Sequence, residues 1–319
     1  MAISQQEYFD LLAVEADQQL NDRISRAFYV AKYATPERYA MLNHDWKGNC
    51  PLRGDDGLCM IHSSLGESKL PNVCRLYPRS IRRDISEAAL ANSCEGVLDI
   101  LIKRKTQLRF EEVDLGITGE GIERPSRMSL RMQCIGMLQD RNSTLRESFE
   151  SVGQLITGKR AQNRSFEECL NVLMSFCEEY SDNGSLGVYC SNCLRRLRLM
   201  TENEYIKRKE IIDRKFDDFE LKKENIIVNH FFVKKFPFVE ERENETEEYE
   251  SLCALFGFLQ LLCVGNLENI ETQDDLVDLL SKAFRVVEHS AFDYNAHVLL
   301  DRAGFGEPDV AGSLLKIGL

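Results

Sequence analysis

The sequence has no excess of basic charge and no long apolar run, and each shortage excludes a class of protein. Its 40 lysines and arginines are outnumbered by 52 aspartates and glutamates, which gives a formal net charge of −12. Proteins that bind nucleic acid need a basic surface for the phosphates, so we expect no nucleic-acid partner. The longest apolar run covers 254–263, is interrupted by Gln260 and is shorter than the roughly 20 residues that cross a bilayer. We therefore expect no membrane partner.

A signal peptide is also missing from the first ten residues, which have neither a basic start nor an apolar core. We therefore predict a cytoplasmic protein. Eleven cysteines are many for such a chain, because clustered cysteines in a reducing compartment are more often metal ligands or catalytic groups than disulfides. The odd number of cysteines further weakens a fully paired disulfide framework.

Strand patterns are sparse, and apolar residues recur mostly at helical spacing. Residues 4–31 and 84–103 show this spacing, and a short helix with proline in its first turn is predicted over 36–42. The polar connection at 107–126 has a weak strand pattern near 108–113. Further helices are predicted over 127–139, 142–157, 165–181, 188–215, 223–236, 246–265, 273–288 and 292–303.

The predicted fold is mainly α, with a loop-rich cysteine-cluster region near the N-terminus followed by a multi-helix domain. We assign residues 1–105 to a helix plus a cysteine-cluster metal-binding region, and residues 106–319 to a helical domain for substrate recognition. Residues 44–83 are rich in turn-forming residues and have little apolar periodicity. Such a segment needs support other than an apolar core, and thiolates bound to a metal could supply it.

Four cysteines, Cys50, Cys59, Cys74 and Cys94, lie in this region and at its end, separated by 8, 14 and 19 residues. These gaps differ from the close cysteine pairs of zinc ribbons and bacterial ferredoxins. The alternative is that these thiols are buried as small apolar groups, as free cysteines often are. Turn residues beside the first three favour ligation, whereas for Cys94 both interpretations stay open. The turn at Gly54–Gly57 could bring Cys50 and Cys59 towards one metal.

The remaining cysteines fall into two sets. Cys190 and Cys193 form a C-x2-C pair, which could chelate a metal, act in redox chemistry or simply be buried. The other five lie within helical apolar patterns and are predicted to be buried core residues: Cys134, Cys169, Cys177, Cys253 and Cys263.

The stretch from Cys50 to His62 (Cys-Pro-Leu-Arg-Gly-Asp-Asp-Gly-Leu-Cys-Met-Ile-His) and the stretch from Cys74 to Arg79 (Cys-Arg-Leu-Tyr-Pro-Arg) resemble the flagellin lysine-N-methylases. That family is related to the YkgJ-type cysteine-cluster proteins. Weaker likeness extends over most of the chain, at Glu87, Leu90, Ser93-Cys94, Arg131–Gln139, Asn229–Phe238 and Glu288-His289.

The resemblance implies methyl transfer from S-adenosylmethionine to lysine side chains of flagellin, the implied protein partner. It also implies a [4Fe-4S] cluster at Cys50, Cys59, Cys74 and Cys94. Family members usually carry another cysteine-rich motif near the N-terminus, whereas this chain has no cysteine before Cys50. The sequence departs from the family there, which puts the completeness of the cluster in question.

Arg75, Tyr77 and Arg79 follow Cys74 directly and are the predicted cofactor-binding residues. Guanidinium groups could offset the charge of a thiolate site or hold the carboxylate of S-adenosylmethionine. Ordinary ion pairing of the arginines and core packing of Tyr77 are the alternatives.

A glycine-rich segment at 113–121 lacks the strand and helix of a dinucleotide-binding turn and is predicted to be a polar loop. His44 and His62 lie beside the cysteine region, and solvent exposure is their expected state. His230, His289 and His297 are expected to be structural. No residue is assigned as the general base. Two other classes compete with the enzyme: a non-enzymatic interaction module with a structural zinc or iron–sulfur site, and a helical interaction protein with buried cysteines.

Overall fold

The computed structural model describes residues 2–45, 49–82, 87–112, 125–236 and 245–319. The chain forms two compact units, residues 1–77 and 78–319, here called the N-terminal unit and the helical unit. The mainly helical fold class predicted from the sequence is confirmed. The predicted division of roles at residue 105 stays a prediction.

The described residues of the N-terminal unit form a small antiparallel sheet, four short α-helices and one 3-10 turn at Glu67–Lys69. Its strands, in the spatial order β1-β3-β2, are β1 (Ala2–Ile3), β2 (Phe28–Val30) and β3 (Ala40–Leu42). Ile3 pairs with Ala40, and Phe28 pairs with Leu42. The helices are α1 (Gln5–Leu12), α2 (Gln18–Ala27), α3 (Met60–Leu65) and α4 (Asn72–Leu76).

Two sequence predictions for this unit are wrong. The single helix expected over 4–31 is divided into α1 and α2, because the Asp17 side chain accepts a hydrogen bond from Leu20 N at 2.8 Å and so begins a second helix. The short helix expected over 36–42 is absent, since β3 occupies its second half and pairs with strands on both sides. Tertiary pairing here outweighs local helix signals.

The cysteine region has an apolar core after all, so the expectation of a loop-rich segment without one needs correction. Leu52 and Ile61 are 3% and 1% exposed and pack with Ile3, Leu20 and Ile24. The predicted turn is confirmed: Gly57 N donates to Gly54 O at 3.0 Å, and Gly57 adopts the positive φ of 83° that glycine tolerates.

The helical unit begins with a hairpin of β4 (Arg79–Arg82) and β5 (Glu87–Leu90). The helix predicted over 84–103 is wrong in its first half, because residues 87–90 form β5. The helix itself, α5, begins only at Glu95. The remaining helices are α5 (Glu95–Lys103), α6 (Pro125–Leu138), α7 (Leu145–Thr157), α8 (Phe166–Glu179), α9 (Gly184–Leu197), α10 (Glu202–Lys215), α11 (Phe219–Val233), α12 (Glu245–Gly265), α13 (Gln273–His289), α14 (Phe292–Arg302), α15 (Pro308–Ala311) and α16 (Leu315–Gly318).

The structure differs from two further sequence predictions for this unit. The helix predicted over 188–215 is divided into α9 and α10, because Thr201 and Glu204 form a capping box that starts α10. No strand occurs at 108–112, the described part of the weak strand pattern. The glycine-rich segment 113–121 and the first half of the acidic run at 240–248 lie outside the described residues.

Helix α12 occupies the centre of the helical unit. Among the described residues it is the one helix long and apolar enough to cross a membrane, but its apolar window is entirely buried inside the protein. Neighbouring helices approach it closely at glycines. A Cβ on Gly318 of α16 would come within 2.8 Å of backbone atoms of Phe256 and Gly257, so only glycine fits this contact.

Candidate functional site

The N-terminal unit contains three of the four predicted ligand cysteines, at a turn, before a helix and within a short helix. Cys50 O accepts a hydrogen bond from Arg53 N at 3.0 Å, and the turn that follows brings Cys59 opposite Arg53 in an isolated β-bridge. Cys59 then stands directly before α3, and Cys74 lies within α4. Cys50 and Cys59 are half-buried, whereas Cys74 is exposed.

Charges on these three thiols act on one another. Burial is the largest cause that raises the pKa of Cys50, and a negative charge on Cys59 raises it further. The pKa of Cys74 rises to about 11, first through desolvation and then through the charges of Cys50, Cys59 and Glu7. Cys74 is nevertheless exposed to solvent, so protein atoms surround only part of its side chain. The three thiols therefore share one electrostatic neighbourhood.

Proximity alone does not make a coordination sphere. Within the described parts of the chain, no group of three or more Cys, His, Asp or Glu side chains has the spacing to hold a metal ion. Cys50 and Cys59 instead pack partly against the small apolar core of their unit. The residue types suit a soft metal, and the ligand set remains a prediction.

A cleft of about 800 Å³ lies in the same unit, between α1 and the segment that leads into α4. Its charged lining combines the carboxylates of Glu7, Asp10 and Glu15 with the cations of Lys69 and Arg75. The cleft falls in the size range of small-molecule sites, and its charges of both signs suit a zwitterionic ligand.

The predicted cofactor residues are unevenly placed around this cleft. Arg75 lines it and donates to Asn72 Oδ1 at 2.6 Å. Tyr77 and Arg79 are both exposed and are absent from the described lining. Arg79 begins β4, which belongs to the helical unit.

Cys94, the fourth predicted ligand, belongs to the helical unit and stands at the start of α5, half-buried against the core. A buried polar contact fixes the backbone just before it. The Glu288 carboxylate accepts hydrogen bonds from Asn92 N at 3.0 Å and Ser93 N at 2.9 Å. Ser93 Oγ also lies 3.1 Å from His289 Nε2. The junction at 92–94 is therefore held by the end of α13.

Other side chains reinforce the same junction. Asn229 Nδ2 donates to Leu90 O at 2.8 Å and also to Asn92 Oδ1. His230 is fully buried, and its Nδ1 lies 3.9 Å from Glu288 Oε1. Neither ring nitrogen of His230 has a hydrogen-bond partner among the described residues. Desolvation, followed by the charge of Lys234, lowers the pKa of His230 well below its usual value, so this imidazole is neutral.

The segments of weaker family likeness thus meet around one place in the helical unit. Arg131 pairs with Glu87, and its guanidinium lies 4.3 Å from the centre of the Phe232 ring. Together with the contacts of Asn229 and Glu288 to residues 90–93, these pairs join stretches that lie far apart in the sequence. The sequence does not predict these pairings, because no local pattern reports contacts between distant helices.

A second carboxylate–imidazole group joins α12 to α14. Glu250 Oε2 lies 3.4 Å from His297 Nδ1, and Asp301 Oδ2 lies 3.8 Å from His297 Nε2. The Glu250 side chain is 3% exposed, whereas that of His297 is 38% exposed. Burial raises the pKa of Glu250 to about 7, against the opposing charge and hydrogen bond of His297. Sequence reasoning treated His297 as structural, since Glu250 lies on a different helix.

The helical unit buries its own thiols, as predicted for Cys134, Cys169, Cys177, Cys253 and Cys263. Cys190 and Cys193 are also fully buried on α9. Hydrogen bonding with these two thiols and burial raise the pKa of Cys177 well above its usual value. Protonated thiols that contact one another in an apolar core are a packing arrangement.

Part of the helical unit is similar to a known protein family. Residues 159–302 match the family described as FliB lysine N-methylase C-terminal domain. The similarity of this region is consistent with a FliB-like family member. The family resemblance predicted from the sequence is therefore confirmed. No curated protein and no solved structure matches the chain.

The FliB match includes some candidate residues and omits others. His230, Glu250, Glu288 and His297 lie within the matched residues, whereas Cys94 and the three thiols of the N-terminal unit precede them. The match supports a lysine methylase at the level of the family and does not reach the predicted ligands.

Proposed function

We propose that this chain transfers methyl groups from S-adenosylmethionine to lysine side chains of flagellin in the cytoplasm. The observation that carries the proposal is the FliB match over residues 159–302, which supports both the reaction class and flagellin as substrate. The formal net charge of −12 suits association with a lysine-bearing protein surface.

The cleft of the N-terminal unit is the proposed site for S-adenosylmethionine, which would supply the methyl group. Arg75 and Lys69 would hold the carboxylate of its amino-acid part, and Asp10 and Glu15 would face its ammonium group. Glu7 is already engaged, because it accepts hydrogen bonds from Ser4 and Asn72 N. Tyr77 and Arg79 remain proposed contacts at the exit of α4.

Cys50, Cys59, Cys74 and Cys94 are the proposed ligands of a [4Fe-4S] cluster, with zinc as the alternative metal. The shared electrostatic neighbourhood of the first three thiols supports this assignment. No group of three or more such side chains among the described residues has the spacing to hold a metal ion, so the proposal rests on the residue types and on the interacting charges of the first three thiols.

The activity is tested by incubating purified protein with unmodified flagellin and isotopically methyl-labelled S-adenosylmethionine. We expect label on flagellin lysines, located by peptide mass spectrometry. A matched variant, Arg75→Gln, should raise KM for S-adenosylmethionine about tenfold or more, because it removes one charge-assisted contact. Absence of label with the unaltered protein would contradict the proposed function.

The metal site is tested separately by metal analysis and absorbance of anaerobically purified protein. We expect Cys59→Ala and Cys74→Ala to lose the metal, whereas Cys253→Ala, a buried thiol of α12, should retain it. A colourless sample that contains zinc would favour the structural-zinc interaction module. A folded sample without metal would favour the helical interaction protein with buried cysteines. Unchanged metal content in Cys59→Ala would remove Cys59 from the ligand set.

A further inference from the structure

A second cleft, of about 560 Å³, lies within the helical unit and is here called the helical-unit cleft. Three helices each contribute one cation to its lining: Arg146 from α7, Lys209 from α10 and Lys223 from α11. Three carboxylates line it as well, those of Asp213, Asp218 and Glu220. The cleft has the size of a small-molecule site, and the proposed methyl transfer makes no use of it.

Two of the three carboxylates already have partners within the protein. Glu220 Oε1 accepts a hydrogen bond from Leu145 N at 2.7 Å, at the start of α7. Asp213 Oδ1 lies 3.5 Å from Lys223 Nζ, and Asp218 is exposed to solvent. A lysine ammonium has three donors, so Lys223 retains the capacity to hold an anion that enters the cleft.

Lys209 differs from the other two cations because its partner is uncharged. The residue is half-buried, and its Nζ donates to the backbone carbonyl of Leu319. No carboxylate in the described part of the chain forms an ion pair with it. Desolvation, followed by the charge of Lys223, lowers the pKa of Lys209 to about 8. A carbonyl accepts a hydrogen bond from a neutral amine as well as from an ammonium, so the nitrogen can lose its proton and keep this contact.

We propose that Lys209 is a modification site that accepts the acyl group of a small acyl phosphate, and that Arg146 and Lys223 hold the phosphate of this donor. Both cations form charge-assisted hydrogen bonds with phosphate oxygens, and the charges of both act on Lys209. Holding the donor beside a nucleophilic amine in one cleft makes the reaction effectively intramolecular. This inference is independent of methyl transfer.

The bonds and electron pairs balance in this step. The lone pair of the neutral Lys209 Nζ forms a bond to the carbonyl carbon of the donor. The bond between that carbon and the bridging oxygen breaks, and its electron pair leaves with the phosphate. The proton released from the nitrogen passes to the departing phosphate. The product is an amide, which cannot carry the positive charge of a lysine.

The proposal is tested on the unaltered protein with acetyl phosphate at pH 8, followed by peptide mass spectrometry. Lys207, an exposed lysine on the same helix, is the internal comparison. About half of an amine with a pKa of about 8 is neutral at this pH, against less than about 1% of a lysine with the ordinary pKa of about 10.4. The weaker basicity of the amine offsets part of this advantage, so we expect Lys209 to be acetylated about tenfold faster than Lys207.

The role of the cations is tested with a pair of variants and a competitor. Arg146→Gln should slow acetylation of Lys209 about threefold, whereas Arg214→Gln, an exposed residue of α10 outside the described lining, should not. Inorganic phosphate should slow the reaction with acetyl phosphate but not that with an uncharged active ester of acetate, which has no phosphate to be held.

Two results would overturn the proposal. Equal acetylation of Lys209 and Lys207 by both donors would show that Lys209 is not a preferred acceptor. Preferred acetylation of Lys209 that inorganic phosphate does not slow would exclude acyl phosphates as the donors recognised by this cleft. Either result leaves the proposed methylation of flagellin untouched, because that reaction is measured with a different substrate and a different label.

Discussion

The N-terminal unit leaves its three thiols partly or fully exposed: Cys50 and Cys59 are half-buried, and Cys74, within α4, is exposed. By contrast, Cys177 and Cys193 are fully buried among helices. Both sets consist of cysteines whose charges affect one another. The two sets differ in their exposure to solvent: the first three thiols are exposed or half-buried, whereas Cys177 and Cys193 are enclosed in the core, where Cys193 Sγ also accepts a hydrogen bond from Asn266 Nδ2 at 3.5 Å.

The two units also differ in what holds them together. The helical unit surrounds α12 with large buried aromatic side chains such as Phe176, Phe258 and Phe284. The fully buried apolar residues of the N-terminal unit form a much smaller core, in which Leu20 and Ile61 are central. A small core is more dependent on additional support, which is consistent with a metal site in that unit.

The largest difference should appear on truncation of one aromatic side chain from each unit. Phe258 is fully buried against Phe176 and Tyr180, so Phe258→Ala should lower the free energy of unfolding by about 3–5 kcal/mol. Phe9 is 49% exposed on α1, and Phe9→Ala should cost less than about 1 kcal/mol. Urea denaturation followed by circular dichroism measures both. Equal losses would show that the Phe9 side chain is packed as fully as that of Phe258.

A smaller difference should separate the two sets of thiols in metal-free protein. Cys177→Ser places a hydroxyl in an apolar core and should cost about 2 kcal/mol. Cys74→Ser changes an exposed residue and should cost less than about 0.5 kcal/mol. Urea denaturation in the presence of a chelator gives both values. A large loss for Cys74→Ser under these conditions would show that this thiol packs structurally without a metal.

Sequence reasoning located long helices well where the apolar period is strong. The helix expected over 273–288 is α13, because its apolar face recurs over four turns. The Thr201–Glu204 capping box was visible in the sequence and would have divided α9 from α10. Strand β3 could not be anticipated, since its three residues gain their stability from partners elsewhere in the chain.

The candidate sites were predictable to different extents. The turn between Cys50 and Cys59 follows from Gly57, which local sequence reveals. The pairing of Glu250 with His297 depends on how α12 packs against α14, and no pattern within either helix encodes it. Local chemistry is therefore readable from the sequence, whereas contacts between helices require the fold.

The smallest expected effect concerns Glu7 and Glu147, which form similar capping boxes in the two units. Glu7 also accepts a hydrogen bond from Asn72 N at 2.7 Å, which ties α1 to α4. Burial acts to raise the pKa of Glu7, but hydrogen bonds from Asn72 and Ser4 and the charge of Arg75 outweigh it and leave the pKa lowered. The Glu7 carboxylate therefore stabilises the fold at pH values above its unfolded pKa of about 4.3.

Glu7→Gln should thus cost about 1 kcal/mol at pH 7, and the difference from the unaltered protein should vanish as the pH falls through the lowered pKa of Glu7. Glu147→Gln should cost less, because Glu147 serves only its own helix end. Urea denaturation at pH 7 and near pH 3 measures the two variants side by side. If Glu7→Gln retained its full cost at pH 3, the loss would come from packing and not from the carboxylate charge, and the tie between α1 and α4 would need another explanation.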